Sequence, residues 1–251
     1  DLDNVYFSSL KKFDGQKLRR LNLYEIGQIA GRAGRYLNNG YFGITGDCEE
    51  ISPEEIEIVE KHKFTEIQNI YWRYSNISFK NKISLIKSLD EKPNKDWLRK
   101  IHECEDEKAL KFFLRDINLK DIDFNREKLI LLWECCQIPD FVKKTYGNHY
   151  DVIAGVFKYL NSKKAKISDN YMRLQLMKLD KLDGNVDSLS NRIANVRTWS
   201  YVSNKKNWIE NQDYWIEKTK SLEDKLSDRL HDELTKTFID KRASILARGL
   251  K

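Results

Sequence analysis

The sequence predicts a mainly α protein in which a helical domain, residues 49–251, follows a small α/β segment, residues 1–48. Before residue 50, the short apolar runs "NVYFSSL" and "YFGIT" are separated by glycine and asparagine, as strands and turns are. After it, apolar residues recur three and four positions apart almost to the end, which is typical of amphipathic helices. The 251 residues are 40% hydrophobic, which is enough for a packed core.

The α/β segment contains one predicted helix, and we expect the strands "NVYFSSL" and "YFGIT" to flank it. Asn22 is the predicted N-cap, with Glu25 in the position of a capping-box carboxylate. The helical domain opens in the same way, because Ser52 is followed by proline and then by Glu55.

Further helices are predicted along the rest of the chain. Pro93, Pro139 and the Asp183-Gly184 pair fall between them, as helix breakers should. The predicted ranges are 64–73, 79–89, 95–103, 106–115, 125–136, 148–161, 169–180, 186–203 and 211–247.

Charge and composition narrow the function classes. One third of the residues are charged and the net charge is +6, with both signs interspersed, which permits nucleic-acid binding without requiring it. The four cysteines and four histidines lack metal-ligand spacing, so we predict reduced thiols and no metal site. No apolar run approaches the length of a membrane span, so no membrane partner is expected.

The stretch "QIAGRAGR" is the strongest candidate for a functional site. If the helix continues through it, Gln28, Arg32 and Arg35 lie within roughly 60° of one another, and the apolar residues face the other way. Gly31 and Gly34 each cost about 1 kcal/mol in a helix, so they indicate a need for close approach. Guanidinium groups suit phosphate oxygens, and the pattern therefore predicts a phosphate-contacting face.

Two arginines on a helix are usually just solvated, but the whole pattern is more specific than that. "QIAGRAGR" matches the Q-x-x-G-R-x-G-R pattern of motif VI in superfamily 2 helicases, and "LDNVYF" looks like the tail of motif V. Four later stretches are similar to the C-terminal region of the mitochondrial degradosome RNA helicase family, specifically its bacterial relatives. They are "WRYSNISF", "LWECCQIPDF", "LDKLDGNVDSLSNRIANVRTWSYV" and "LSDRLHDELTKTFIDKRASIL". The resemblance covers essentially the whole chain.

The resemblance implies an ATP-dependent RNA helicase of the DExH type, in which two RecA-like domains clasp ATP and Mg²⁺. Residues 1–48 would be a remnant of the second RecA-like domain, and residues 49–251 would be a helical domain that lines the RNA path. Arg35 would be the arginine finger, Arg32 would hold the γ-phosphate, and Gln28 would position water or couple the site to domain closure. The ATP-binding residues so implied are Gln28, Gly31, Arg32, Gly34 and Arg35.

Features that ATP hydrolysis needs are missing from the sequence. No glycine is followed by lysine, and the three Asp-Glu pairs lack the residues of an acidic magnesium motif. We therefore predict that this polypeptide alone is inactive and that ATP and Mg²⁺ are cofactors of a longer parent only. The absence of an initiating methionine agrees with a piece of a longer chain.

RNA binding is the activity that the helical domain could retain in the absence of ATP hydrolysis. In "SNRIANVRTWSYVSNKKNW", basic residues that could neutralise phosphates interleave with aromatic residues that could stack on bases. The helical spacing of Trp199 favours a place in the core over a stacking role. The predicted RNA-binding residues are Arg192, Arg197, Lys205 and Lys206.

Two hypotheses follow from the sequence. The first is the C-terminal part of an RNA helicase, with RNA, the missing helicase domains in cis and an exoribonuclease as partners, in the bacterial cytoplasm or alternatively the mitochondrial matrix. The second is a stand-alone helical RNA-binding or protein-docking module of an RNA-decay assembly. The intact "QIAGRAGR" favours the first, because such a module needs neither both glycines nor both arginines.

Overall fold

The computed structural model divides the chain at Ile70 into two units, Asp1–Ile70 and Tyr71–Lys251. It describes residues 2–14, 17–34, 38–115, 122–142 and 146–249. The first unit extends beyond residue 48, where the sequence places the domain boundary. The physical reason is that Val59 lies in its core and that Ile51 and Phe64 pack against that core.

The first unit is a small α/β structure. Its elements are β1 (Asn4–Phe7), β2 (Lys11–Phe13), β3 (Leu18–Arg20), α1 (Leu23–Ala30), β4 (Tyr41–Ile44) and α2 (Pro53–Glu60). Strands β1 and β4 are parallel, in a register that aligns Val5 with Phe42. A parallel pair needs a crossover connection, and here the antiparallel β2–β3 hairpin and α1 supply it. The predicted strand pair around the helix is therefore confirmed, whereas the hairpin was not predicted.

The two faces of the β1–β4 pair differ in their exposure to solvent. Phe7 is buried in the core of the first unit with Leu10 and Ile26. On the opposite face Tyr6 and Tyr41 are 63% and 67% exposed. Parallel sheets are normally covered on both faces, whereas one face of this pair is exposed.

The second unit is mainly helical. Its elements are β5 (Ile70–Trp72), α3 (Lys82–Leu89), β6 (Leu98–Lys100), α4 (Glu105–Arg115), α5 (Arg126–Cys136), α6 (Tyr146–Leu160), α7 (Asp169–Leu179), α8 (Val186–Asn204) and α9 (Gln212–Gly249). Strands β5 and β6 form a two-stranded sheet. One continuous core runs from Leu85 in α3 to Leu226 in α9 and includes Trp133, Trp199 and Trp215. Helices α8 and α9 make the most extensive contact between elements.

Most helices begin and end close to their predicted limits, because side chains cap them. Asn81, Asn125 and Asn185 each accept a hydrogen bond from the backbone N–H three residues later. Two predicted helices are wrong, since residues 64–73 and 95–103 contain the strands β5 and β6 instead. A short run with three- and four-residue spacing does not distinguish a helix from a strand, and tertiary pairing decides here.

Arg73 ties β5 to the helices of the second unit. Its Nη1 and Nη2 donate to Asp106 at 2.9 and 3.0 Å, and its Nε lies 3.3 Å from Glu107 Oε1. The guanidinium also lies 5.2 Å from the ring centroid of Trp133. Burial raises the pKa of the Glu107 carboxyl. Arg73 is therefore a structural residue of the second unit.

Across the described ranges, no helix is long and apolar enough to cross a membrane.

Candidate functional site

Helix α1, which carries the first three residues of "QIAGRAGR", begins with the predicted capping box. The backbone N–H of Asn22 donates to Glu25 Oε2 at 2.8 Å. The box at the start of α2 is also confirmed, because Glu55 N–H donates to Ser52 Oγ at 3.2 Å and Ser52 N–H donates to Glu55 Oε2 at 3.1 Å. Local sequence signals thus fix where both helices of the first unit begin.

Glu25 also holds the β2–β3 hairpin against α1. Arg19 donates to both of its carboxylate oxygens, at 2.8 and 2.9 Å, and Lys12 Nζ lies 2.5 Å from Oε1. This cluster was not predicted, although a capping-box glutamate shortly after a basic stretch could have suggested it. The Arg19 guanidinium, with further help from Lys12 and the Asn22 N–H, holds the pKa of Glu25 well below its usual range.

The lowered pKa of Glu25 predicts a pH-dependent contribution to stability. The folded-state pKa lies below the unfolded value of about 4.3, so the stabilisation is present above that value and is lost as the pH falls through the folded-state pKa. We expect Glu25→Gln to destabilise the first unit by about 1–2 kcal/mol at pH 7, and by progressively less below about pH 4. Amide hydrogen exchange in peptides covering α1, corrected for intrinsic rates, measures the difference.

Glu57→Gln is the matched control, because Glu57 forms an exposed pair with Lys61 on one helix. We expect it to change the same protection by less than about 0.5 kcal/mol at either pH. Equal effects of the two substitutions at pH 7 would contradict the role given to Glu25.

Helix α1 ends at Ala30, earlier than predicted. The N–H groups of Gly31 and Arg32 donate to Gly27 and Ile29 at 2.8 and 3.1 Å, which closes the helix with a tight turn. Gln28 therefore lies on the helix and Arg32 in the turn after it, so they do not share a helical face as predicted. Both side chains are exposed. Arg35, the predicted arginine finger, lies outside the described residues.

The turn after α1 is held against the start of the chain. Gly34 N–H donates to the carbonyl of Leu2 at 2.7 Å, and Ala33 forms a bridge with Leu2. Gly34 has φ +72°, a left-handed conformation that side chains disfavour. A Cβ there would lie 2.6 Å from the backbone of Asn38 and Gly40. Gly34 is therefore needed for a close backbone crossing, and Arg32 is displayed on a turn of fixed geometry.

Gly31 has a different role from Gly34. Its φ is −66°, which any residue adopts, and the nearest atom to an added Cβ is Gly27 O at 3.1 Å. From the sequence, both glycines were predicted to have one role, which was to allow close approach to the arginines. The structure instead assigns a conformational requirement to Gly34 alone.

This difference predicts unequal effects of two alanine substitutions. We expect Gly34→Ala to destabilise the first unit by about 2 kcal/mol, because it combines a strained φ with a backbone clash. Gly31→Ala should change stability by less than about 1 kcal/mol. Hydrogen exchange in peptides covering residues 21–34 compares the two variants, and a larger effect of Gly31→Ala would contradict the assignment.

A groove of about 450 Å³ lies beside the turn. Its lining consists mainly of glycine and apolar residues from the end of α1, β4 and α2, and it includes Gly31, Ala33 and Gly40. Neither Gln28 nor Arg32 lines it. Both side chains are exposed, so they are accessible to a ligand outside this groove.

The four predicted RNA-binding residues have different surroundings. Arg192 donates through Nη1 to the carbonyl of Lys181 at 2.7 Å and to that of Asp183, so it closes the turn before α8. Arg197 Nε donates to Glu223 Oε1 at 2.7 Å and links α8 to α9. Both arginines thus have structural partners, which the spacing along the sequence does not reveal.

Lys205 and Lys206 follow α8 directly. Lys205 Nζ lies 5.0 Å from the ring centroid of Tyr201 and 5.7 Å from that of Trp208, and Lys206 is exposed. Trp199 and Trp208 are only 3% and 7% exposed. The prediction that Trp199 belongs to the core is confirmed, and neither tryptophan is available to stack on a base.

The described part of the chain contains no cluster of three or more His, Cys, Asp or Glu side chains that could hold a metal ion. In comparisons with known proteins, no protein-family profile, no curated protein and no solved structure matches this chain.

Proposed function

We propose that the chain is the C-terminal part of an ATP-dependent RNA helicase of the DExH type. The observation that carries the proposal is the position of the motif VI-like segment, at the end of a crossover helix between two parallel strands. Arg32 is exposed there, on a turn that Gly34 and the Leu2 carbonyl fix. A guanidinium in a fixed position is suited to stabilising the charge that develops on a transferring phosphoryl group.

The uncovered face of the β1–β4 pair supports a larger sheet in the parent protein. Tyr6 and Tyr41 are large, exposed side chains on one face of a parallel pair, an arrangement that parallel sheets avoid when they are complete. We infer that the missing part of a RecA-like domain covers this face and adds strands to the pair.

The residues present fit only part of an ATP site. Gln28 and Arg32 are hydrogen-bond donors suited to phosphate oxygens and to water, but the sequence has no phosphate-binding lysine loop and no acidic magnesium motif. In the parent, Mg²⁺ would neutralise charge on the phosphates of ATP. On this proposal Arg32 holds the terminal phosphate, Gln28 positions the attacking water or couples the site to domain closure, and Arg35 is the arginine finger.

The test is ATP hydrolysis by two polypeptides, this chain alone and the chain extended by its preceding coding sequence. We expect no hydrolysis by the chain alone and RNA-stimulated hydrolysis by the extended polypeptide, because the extension would supply the lysine loop and the acidic motif. An extension without those motifs, or an extended polypeptide without activity, would refute the proposal.

The second candidate is a helical RNA-binding or protein-docking module without nucleotide chemistry. The observation that favours it is the continuous core of the second unit, which runs from Leu85 to Leu226. In either case we propose a bacterial cytoplasmic location, with the mitochondrial matrix as the alternative, and an exoribonuclease as a protein partner.

A further inference from the structure

Strand β4 has one paired edge and one open edge. The N–H groups of Tyr41 and Thr45 donate at 2.9 Å to carbonyls in and just before β1. Successive residues of a strand direct their N–H and C=O groups to opposite edges, so those of Phe42 and Ile44 point away from β1. Among the described strands, β4 pairs with β1 alone. Two N–H and two C=O groups of β4 thus point to an edge that no described strand occupies.

The groove of about 450 Å³ beside the turn runs along this open edge, and we call it the β4 groove. All four residues of β4 line it, including Phe42, which packs on the core, and Tyr41, which lies on the opposite face of the sheet. A groove under one face would contact only every second residue of the strand. Four strand residues give the groove a length of about 13 Å, at roughly 3.3 Å per residue.

The walls of the β4 groove suit apolar side chains. Ile51, Ile56 and Val59 contribute the wall on the α2 side, and glycine and alanine residues contribute the α1 side. Of the described lining residues, only Glu60 and His62 are acidic or basic, and both are exposed. A ligand that fits this lining is therefore mainly apolar, with a cation beside Glu60.

The wall on the α2 side is anchored before any ligand binds. Val59 is only 4% exposed and belongs to the core of the first unit. The N–H of His62 donates to the carbonyl of Val59 at 3.3 Å, and that of Lys63 donates to the carbonyl of Ile58 at 3.0 Å, which is the pattern of a Schellman motif. A ligand would therefore bind with little reorganisation of this wall.

An open strand edge beside apolar walls is the geometry of strand addition. Backbone groups two residues apart hold an extended peptide, and the alternate side chains of that peptide enter the groove. The sequence of β4, "YFGI", contains neither the charged residue nor the proline that commonly protects an edge from pairing. A second copy of this chain fits less well. Antiparallel pairing of two β4 edges would place both α2 helices on one face, and each carries four glutamates and no lysine or arginine.

We propose that the β4 groove binds an extended peptide segment of a partner protein, which adds to β4 as a third strand of the β1–β4 sheet. The segment has alternating apolar side chains that enter the groove and a lysine or arginine beside Glu60. The proposal is independent of the helicase function. Strands of a longer parent would precede β1 in the sequence and would add beside β1, because consecutive strands are usually neighbours.

The experiment is fluorescence anisotropy of the complete chain with a labelled peptide that alternates threonine and valine between two terminal lysines. The decisive comparison uses two derivatives, one N-methylated on the backbone at the valines and the other at as many threonines. Alternate amides of a strand point to the same edge, so only one derivative should lose affinity, by about tenfold or more. Equal affinities of the two derivatives would overturn the proposal, and so would equally tight binding of a scrambled peptide with adjacent valines.

A charge reversal at Glu60 gives a second readout. Glu60→Lys should weaken binding of the lysine-flanked peptide about fivefold or more and should strengthen binding of the same peptide flanked by glutamates. Glu66→Lys is the matched control, because Glu66 is exposed in the first unit and does not line the groove. Equal effects of the two substitutions would contradict the place given to the cation.

Site-resolved hydrogen exchange and sedimentation velocity identify the occupant of the groove. The peptide should slow exchange of the Phe42 and Ile44 amides, and unchanged rates there would overturn the proposal. A dimer of the chain that the peptide dissociates would assign the groove to a second copy. Failure of the extended polypeptide to bind the peptide would assign the groove to a strand of the parent, and either result would overturn the proposal. An inactive extended polypeptide that binds the peptide would refute the helicase function alone.

Discussion

Replacing Arg32 with alanine in the extended polypeptide should lower kcat for RNA-stimulated ATP hydrolysis by about 100-fold or more. A preorganised donor aimed at developing charge is worth that much, because no solvent has to reorganise during the reaction. Arg32 is exposed on a turn and contributes nothing to the core, so kcat should fall without a decrease in the free energy of unfolding. Steady-state ATPase kinetics at saturating RNA, beside thermal unfolding, measure both quantities.

A lysine at position 32 separates the effect of the charge from that of the planar guanidinium. Arg32→Lys keeps the charge but loses the planar fork, so we expect it to recover only part of the activity. Arg99→Ala, an exposed arginine on β6, is the control and should retain nearly full kcat. If Arg32→Ala raised only KM for ATP, the arginine would contribute to ground-state binding alone, and the proposed role in phosphoryl transfer would be wrong.

Replacing Trp199 with alanine should lower the free energy of unfolding of the second unit by about 3–5 kcal/mol, the cost typical of removing a buried tryptophan. The side chain is 3% exposed, and its ring makes an edge contact with Tyr171 at 5.8 Å between centroids. The loss should therefore act through the packing of α8 against α7. Urea unfolding followed by far-UV circular dichroism gives the difference.

Trp97→Ala is the matched control for Trp199→Ala. Trp97 is 49% exposed, with Lys95 Nζ 5.1 Å from its ring centroid, and its removal should cost less than about 1 kcal/mol. A Trp199→Ala variant with unchanged stability and lost RNA affinity would reverse the assignment, because that result would make Trp199 a stacking residue.

The helices of the second unit could be predicted because their signals are local. Ser168 and Asn185 cap α7 and α8 with their own side chains, and the apolar spacing of each helix continues for several turns. Strands β5 and β6 could not be predicted in the same way. Each has only three residues, and each exists because it pairs with the other.

The candidate site could also be predicted only where its signals are local. The pattern around Arg32 was evident from the sequence, but a helical interpretation gave Gly34 the wrong role, because its need for a positive φ arises where the turn crosses Gly40. The lysines at 163, 164 and 166 drew no attention in the sequence. A backbone bridge between Ile167 and Ile209 joins their loop to the loop that carries Lys205 and Lys206.

The division of the chain at Ile70 has a spectroscopic consequence. All six tryptophans, from Trp72 to Trp215, follow that residue. Of the three residues Trp, Tyr and Phe, the first unit contains only tyrosine and phenylalanine. Tryptophan emission therefore reports on the helical unit alone. A tryptophan introduced in place of exposed Tyr41 would give the α/β unit its own signal, so that docking of a neighbouring domain on that face could be followed as a change in emission.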